Sequence, residues 1–412
     1  MPPINEQAGW SLIDKVEECK ANLRASPKLE FTERKGKIVR KQVALCILNM
    51  ETGEILERRF WLSQAEIERA NLLRKNYQDN INNLPRFVSV DSQNDFAITN
   101  KRWNNWNSEL VLVRAGFSGD IYVVATNKFL IANSSIVYPE DKTGHKYSDI
   151  IYAPYSQLLH RDEIVKRGHD YIDEKVSEAF RQLRDKQVES RAYPGRLVAD
   201  SISEKFPKKI LVNEQTDPDA LLNKAKTDEE KIVVLEKVLV RYGLNGDRAF
   251  RYTVSKTGAS GMAQLMASTY SSRRKTGGIV QKYPVADLIS DINLGRLEPV
   301  NAIKAEILVF DDKLSEIKNR VAVPEKILKK FSKMSTVEIE KALKPQRIFD
   351  GLTQGQLEEG MAISYNGGSS KYDINTGTLK TKARGRKAKL GLKETQGFIA
   401  KHRVIGYLKL FD

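Results

Sequence analysis

A chain of 412 residues, 41% of them hydrophobic, is long enough for two or three folded domains and ordinary in composition for a globular protein. Its net charge of +15 suits an anionic partner (wall peptide, teichoic acid, nucleic acid or anionic lipid) without choosing among them. No apolar run approaches bilayer-spanning length. The two cysteines (Cys19, Cys46) and four histidines (His145, His160, His169, His402) show no metal-ligand spacing, so a transmembrane protein and a zinc protein are both set aside.

Residues 1–38 mix Lys, Glu, Pro and polar residues and read as a tail, with one helix expected over 11–24. The stretch from Met1 to Trp10 is polar and carries no secretory pattern. From Lys41 to Asn49 the sequence alternates, placing Val43, Leu45 and Ile47 on one face of a strand. Glu51-Thr52-Gly53-Glu54 is a turn, and 55–62 the return strand. Ser63 and Glu66 have capping-box spacing, so a helix should follow them. Short strands are predicted over 86–90, 109–115, 120–125 and 129–137. Trp103 and Trp106 are either half-buried aromatics under a loop or stacking surfaces for sugars or bases.

From Tyr152 the pattern turns helical. The stretch 161–186 is long and charged, with Ile164, Tyr171, Val176, Phe180 and Leu183 available for one face. Tyr193-Pro194-Gly195 breaks it, and a short helix over 197–206 follows. Pro207 suits the first turn of another helix, which carries Ile210, Leu211 and Val212 and ends near Glu214-Gln215-Thr216-Asp217-Pro218. Thr227 and Glu230 form a second capping box, for a helix reaching Tyr242 and stopping at Gly243. Further helices are predicted over 299–321, near 325–333 and 335–343, and over 353–365. A basic loop, 380–393, leads to a last helix over 394–411.

Chemistry concentrates in Gly258-Ala259-Ser260-Gly261-Met262-Ala263-Gln264-Leu265-Met266. Its glycines let a second backbone or a ligand approach closely. Gln264 is the one long polar side chain in the apolar run, Ser255 lies just ahead, and Tyr270 closes the segment. The expectation is the start of a core helix whose first turn is exposed in a cleft; the plainer alternative is tight packing. The stretch resembles the Gly-Ala-x-Gly-Leu-x-Gln-Leu-Met box of the soluble lytic transglycosylase family. Met361-Ala362-Ile363-Ser364-Tyr365-Asn366-Gly367-Gly368 resembles that family's Ala-Tyr-Asn-x-Gly box, and Glu394-Thr395-Gln396-Gly397-Phe398-Ile399-Ala400-Lys401 its final Glu-Thr-x-x-Tyr-Val-x-Lys helix. The three stretches stand in the family's order and cover roughly residues 190–412.

The resemblance implies an α+β chain: a smaller β-rich N-terminal domain followed by a lysozyme-like, mainly α-helical catalytic domain. The expected divisions are a tail over 1–38, a β-rich accessory domain over 39–150, a helical linker over 151–196 and the catalytic domain over 197–412. It also implies cleavage of peptidoglycan between N-acetylmuramic acid and N-acetylglucosamine, with a 1,6-anhydro product and neither metal nor cofactor. One Glu then serves first as acid and then as base, so it needs a raised pKa, which desolvation at a helix end supplies.

Glu214, at the predicted helix end, resembles that catalytic Glu, although some forty residues separate it from Ser255 where the family has far fewer. Asp247 is the ungapped alternative, and the pair Glu358 and Glu359 a third. Ser255, Gly261, Gln264, Met266, Tyr365, Asn366 and Glu394 match the family's substrate-binding positions. Tyr365 matches a tyrosine whose hydroxyl approaches the catalytic carboxylate, and Glu394 a carboxylate that binds N-acetylglucosamine. Implied partners are peptidoglycan strands and, through the basic stretch, anionic wall polymers; nucleic acid is not expected. A wall substrate places the protein in the cell envelope, with export by a route not visible in the chain. The rival readings are a hydrolysing muramidase and an inactive lysozyme-like module that binds glycan or scaffolds a larger structure.

Overall fold

The computed structural model describes residues 9–35, 37–63, 65–66, 68, 88–91, 96–102, 108–114, 122–140, 144–272, 277–382 and 386–411. Trp103 and Trp106 lie outside the described residues. The protein is α+β and divides into two compact units, the first formed by residues 1–171 and 236–252, the second by 172–235 and 253–412. The division falls inside two helices, Asp162–Asp185 and Asp228–Asn245, and residues 236–252 belong with the sheet rather than with the segment that follows them.

The first unit is built on β2 (Lys37–Asn49). It pairs antiparallel with β3 (Ile55–Ser63) on one side and with β1 (Phe31–Arg34) and β7 (Tyr122–Ala132) on the other; β8 (Tyr147–Tyr152) pairs with β7. A separate three-stranded sheet joins β4 (Val88–Asp91), β5 (Phe96–Arg102) and β6 (Glu109–Arg114). The alternation predicted for β2 holds: Val43, Leu45 and Ile47 share one core with Phe60, Leu62 and Val124. The opposite face is buried too, through Ala44, Cys46 and Leu48. It is covered by α1 (Leu12–Ala25), whose Ser11 caps the first turn and whose Cys19 is disulfide-bonded to Cys46. The buried Lys128 ammonium donates to the carbonyls of Leu23, Ser26 and Pro27 at the far end of α1. The expected tail is therefore part of this unit from α1 onward.

The predicted strands 120–125 and 129–137 meet in one continuous strand, β7, with Thr126, Asn127 and Lys128 buried within it despite their polarity; β7 ends at Ala132, and Asn133–Ser135 is a 3-10 turn. β8 ends at Tyr152, where the helical pattern begins, and covers a stretch for which the sequence predicts no element. Ser63 and Glu66 do exchange the bonds of a capping box.

The helix α2 (Asp162–Asp185) and the helix α4 (Asp228–Asn245) run as predicted except at one end. Gly243 does not stop α4. A Cβ there would overlap the Ile164 carbonyl, and one at Gly168 would overlap the Leu239 backbone, so both glycines permit a close helix–helix approach.

The second unit packs α3 (Lys205–Gln215), α7 (Gln354–Gly367) and α8 (Arg386–Tyr407) around α5 (Pro299–Val321). α5 starts cleanly because Glu298 caps it and Pro299 fills its first turn. It is then buried along almost its whole length, from Ala302 to Leu314. Beside it run α6 (Thr336–Asp350) and, beyond α7, a short hairpin of β9 (Tyr372–Asp373) and β10 (Thr378–Leu379). α7 opens with the capping box of Thr353 and Gln356, where a helix was expected. α8 begins at Arg386, so the basic stretch read as a loop is in its C-terminal half the first turns of a helix. Among the described residues no helix is long and apolar enough to cross a membrane.

Candidate active site

The Gly-Ala-Ser-Gly segment does not begin a helix. Val254 bridges Ser260 and Ser260 bridges Leu265, so residues 254–265 form a tight bridged loop, and only Ala267–Tyr270 makes a helical turn. Gly258 and Gly261 take φ of +89° and +73°, left-handed values that oppose a helix and favour glycine. At Gly261 a Cβ would lie 2.5 Å from the Arg296 carbonyl oxygen. Arg296 itself is buried, and its guanidinium donates to the carbonyls of Gly258 and Leu265 and to Ser260 Oγ at 3.0–3.1 Å. The loop is therefore wrapped around one cation. Gln264 also takes a left-handed φ, +47°, unusual for a residue with a side chain, and its amide turns back to the Gly261 carbonyl at 2.6 Å.

The same loop is tied to α3 by Gln215, which donates to the carbonyls of Gly261 (3.2 Å) and Met262 (2.8 Å). Glu214 is its neighbour, so the tie brings Glu214 to the loop across the intervening forty residues. The two line a cleft of about 250 Å³ with Ser255, Gln264, Met266, Tyr365 and Asn366; Val309 and Lys313 of α5 complete it. Ser255 and Ala259 exchange a backbone bond, and Ser255 Oγ accepts from the Ala259 N–H, fixing the rim.

Glu214 keeps part of its surface in the cleft, but protein surrounds its carboxyl, which makes no hydrogen bond among the described residues. Burial pushes it up to about 7, against the opposing pull of the Lys401 ammonium. Lys401, on α8, donates to the carbonyls of Asn213 (2.5 Å) and Thr216 (2.9 Å) and so caps the end of α3. Burial lowers its own affinity for a proton, to about 8, with the Glu214 and Asp217 carboxylates opposing.

Tyr365 donates its hydroxyl to the Ala263 carbonyl rather than to a carboxylate. Burial raises its pKa far above the phenol range, and the charges of Glu306 and Glu214 raise it further, so it stays protonated. Asn366 is exposed and its Oδ1 accepts from Thr395 Oγ1 at 3.0 Å. The other expected residues lie elsewhere. Gly261 shapes the loop without lining the cleft. Glu394 is exposed on α8, eight residues into the helix; its neighbour Thr395 is the one turned inward. Glu358 is buried beside Lys209, and Glu359 is paired with Arg403. Asp247 belongs to the first unit, where it accepts from Tyr171.

Four residues were not singled out from the sequence. Arg296, Lys313 and Lys401 are cations among many in a basic chain. Glu306 sits inside an apolar helix, where a lone carboxyl is itself the signal: it is fully buried and neither oxygen has a hydrogen-bond partner.

A larger hollow of about 770 Å³ lies in the first unit, beside Phe31, Lys146, Tyr147 and Arg248. None of the site residues expected from the sequence lines it, whereas six of them line the smaller cleft. Among the described residues no group of three or more His, Cys, Asp or Glu is placed to hold a metal ion. Comparison with known proteins finds no family model, no curated protein and no solved structure that matches the chain.

Proposed function

We propose that the second unit is a lysozyme-like catalytic domain and that the protein is a peptidoglycan lytic transglycosylase. The observation that carries this is one cleft lined by Glu214, Ser255, Gln264, Met266, Tyr365 and Asn366, with a single acid titrating near neutrality. A carboxyl with a pKa of about 7 is partly protonated at neutral pH and can act in both directions. In the first step Glu214 gives its proton to the glycosidic oxygen as the C1–O bond breaks and the bonding pair leaves with that oxygen. In the second, the muramic C6 hydroxyl attacks C1 and returns its proton to Glu214. The 1,6-anhydro ring closes, and no water is consumed. The Cys19–Cys46 bond supports an oxidising location such as the cell envelope.

Purified sacculi and mass spectrometry of the released fragments test this. Wild type should release anhydro ends. Glu214→Gln keeps the shape but has no proton to give, and should lose at least about 10²–10⁴-fold in turnover at unchanged thermal stability. Asp247→Asn should retain activity. Reducing ends would identify a hydrolase instead, and binding without cleavage an inactive module. Glu214→Gln at wild-type turnover would remove the assignment.

A further inference from the structure

Glu306 has no part in the chemistry so far, yet its position is costly. It is 0% exposed and neither carboxyl oxygen has a hydrogen-bond partner, so its desolvation is uncompensated. Helical spacing puts it on the face of α5 shared by Val309 and Phe310, three and four residues on. Val309 lines the cleft, and the Phe310 ring packs on Tyr365 with centroids 5.2 Å apart. Glu306 thus lies under the cleft floor, beside both named site residues. The groups facing it are Glu214 from α3 and Tyr365 from α7. Lys401 of α8 acts on Glu214, and Lys313 of α5 lies farther along the cleft, paired with Glu316. Burial, then the charge of Glu214, drives Glu306 well above the ordinary carboxyl range.

We propose that Glu306 is a positioning residue for Glu214: it keeps its own proton under the cleft floor and donates that O–H to the Glu214 carboxylate whenever Glu214 has given its proton away. The inference rests on Glu214 being the acid–base group. Glu306 gains and loses no proton during turnover. Its donated hydrogen bond stabilises the carboxylate that exists between bond cleavage and ring closure, and is returned to waiting when Glu214 is reprotonated. An acceptor on the neutral acid and a donor to the ionised one is the arrangement a two-step acid–base group needs.

Two substitutions separate this from a structural role. Glu306→Leu removes the donor and suits the apolar surroundings; Glu306→Gln keeps a neutral donor. With selectively ¹³C-labelled glutamate, the carboxyl titration of Glu214 is read directly, assigned by its loss in Glu214→Gln. Losing a donor to the charged form raises a carboxyl pKa, so Glu306→Leu should move the Glu214 midpoint upward by about 1 unit, while Glu306→Gln leaves it near its original value. In turnover, Glu306→Leu should lower kcat about tenfold with KM unchanged, and shift the alkaline limb of the pH profile in the same direction as the titration. A midpoint unmoved in Glu306→Leu overturns the proposal, whatever the fold's stability does. The titration needs no substrate. A shifted midpoint in a protein that cleaves no glycan would therefore uphold the pair and dismiss only the transglycosylase assignment.

Discussion

Gly261 concentrates the demands of the site on one residue. Its backbone is left-handed, its missing side chain makes room for the Arg296 carbonyl, and its own carbonyl receives Gln215 and Gln264. Gly261→Ala should cost at least about 2 kcal/mol, from the left-handed φ and from displacement of a backbone group that cannot rotate away. The midpoint of urea unfolding checks it, and an unchanged midpoint would show that the loop tolerates the side chain. At this scale the sequence conveyed residue types better than geometry. Ser255, Gln264, Met266 and Tyr365, from short motifs that keep their spacing, line one cleft with Glu214, whose spacing departs from the motif. The loop was mistaken for a helix start because its conformation depends on Arg296, some thirty residues away, and local propensity carries no trace of that bond. Glu394 comes from the motif match alone, and the helix expected over 394–411 starts eight residues earlier, which exposes Glu394 and turns Thr395 inward.

Among the elements, α8 ties α3 and α7 together within the second unit. Lys401 caps α3, Thr395 holds Asn366, and His402 packs edge-on against Phe206 with ring centroids 5.8 Å apart. Its early start was hidden by Gly391 and Gly397, each costing about 1 kcal/mol in a helix, which burial of Leu392, Phe398, Ile399 and Ile405 offsets. His402 is buried with Nδ1 unpartnered; burial, assisted by Lys209, lowers it from 6.5 to about 4. The unfolded chain therefore takes up this proton first. The stability His402 contributes is complete above pH 6.5 and lost as pH falls toward about 4. The loss amounts to roughly 3 kcal/mol. Glu214 has the opposite sign: its folded value is raised from 4.5 to about 7, so its contribution is complete below 4.5 and lost as pH rises through 7. Chemical denaturation between pH 4 and 7 should show His402→Leu flattening the acid side alone. An acid limb identical to wild type would mean that His402 is already charged in the folded protein.

For the whole molecule, the α+β class and the order of sheet before helices could be read from periodicity. The division of the chain could not, since it depends on long-range helix contacts at Gly168 and Gly243 that resemble a simple helix stop in sequence. The Cys19–Cys46 bond, spanning 27 residues, staples α1 to β2 within the first unit. Replacing both cysteines by Ala should remove roughly 3–4 kcal/mol, most of it by freeing the unfolded chain. Thermal unfolding with and without reductant checks this: wild type under dithiothreitol should match the double variant, and a midpoint changed by neither reductant nor substitution would mean that α1 is held by packing alone. The discontinuous first unit also has a consequence in time. Residues 236–252 complete it, but a ribosome makes them only after residues 172–235, which belong to the second. At about 5–20 residues per second, the sheet and α1 wait several seconds for their last helix, with the Gly168 face of α2 uncovered meanwhile. Sheet and disulfide can form early, but the unit they belong to closes late, when its neighbour is already partly made.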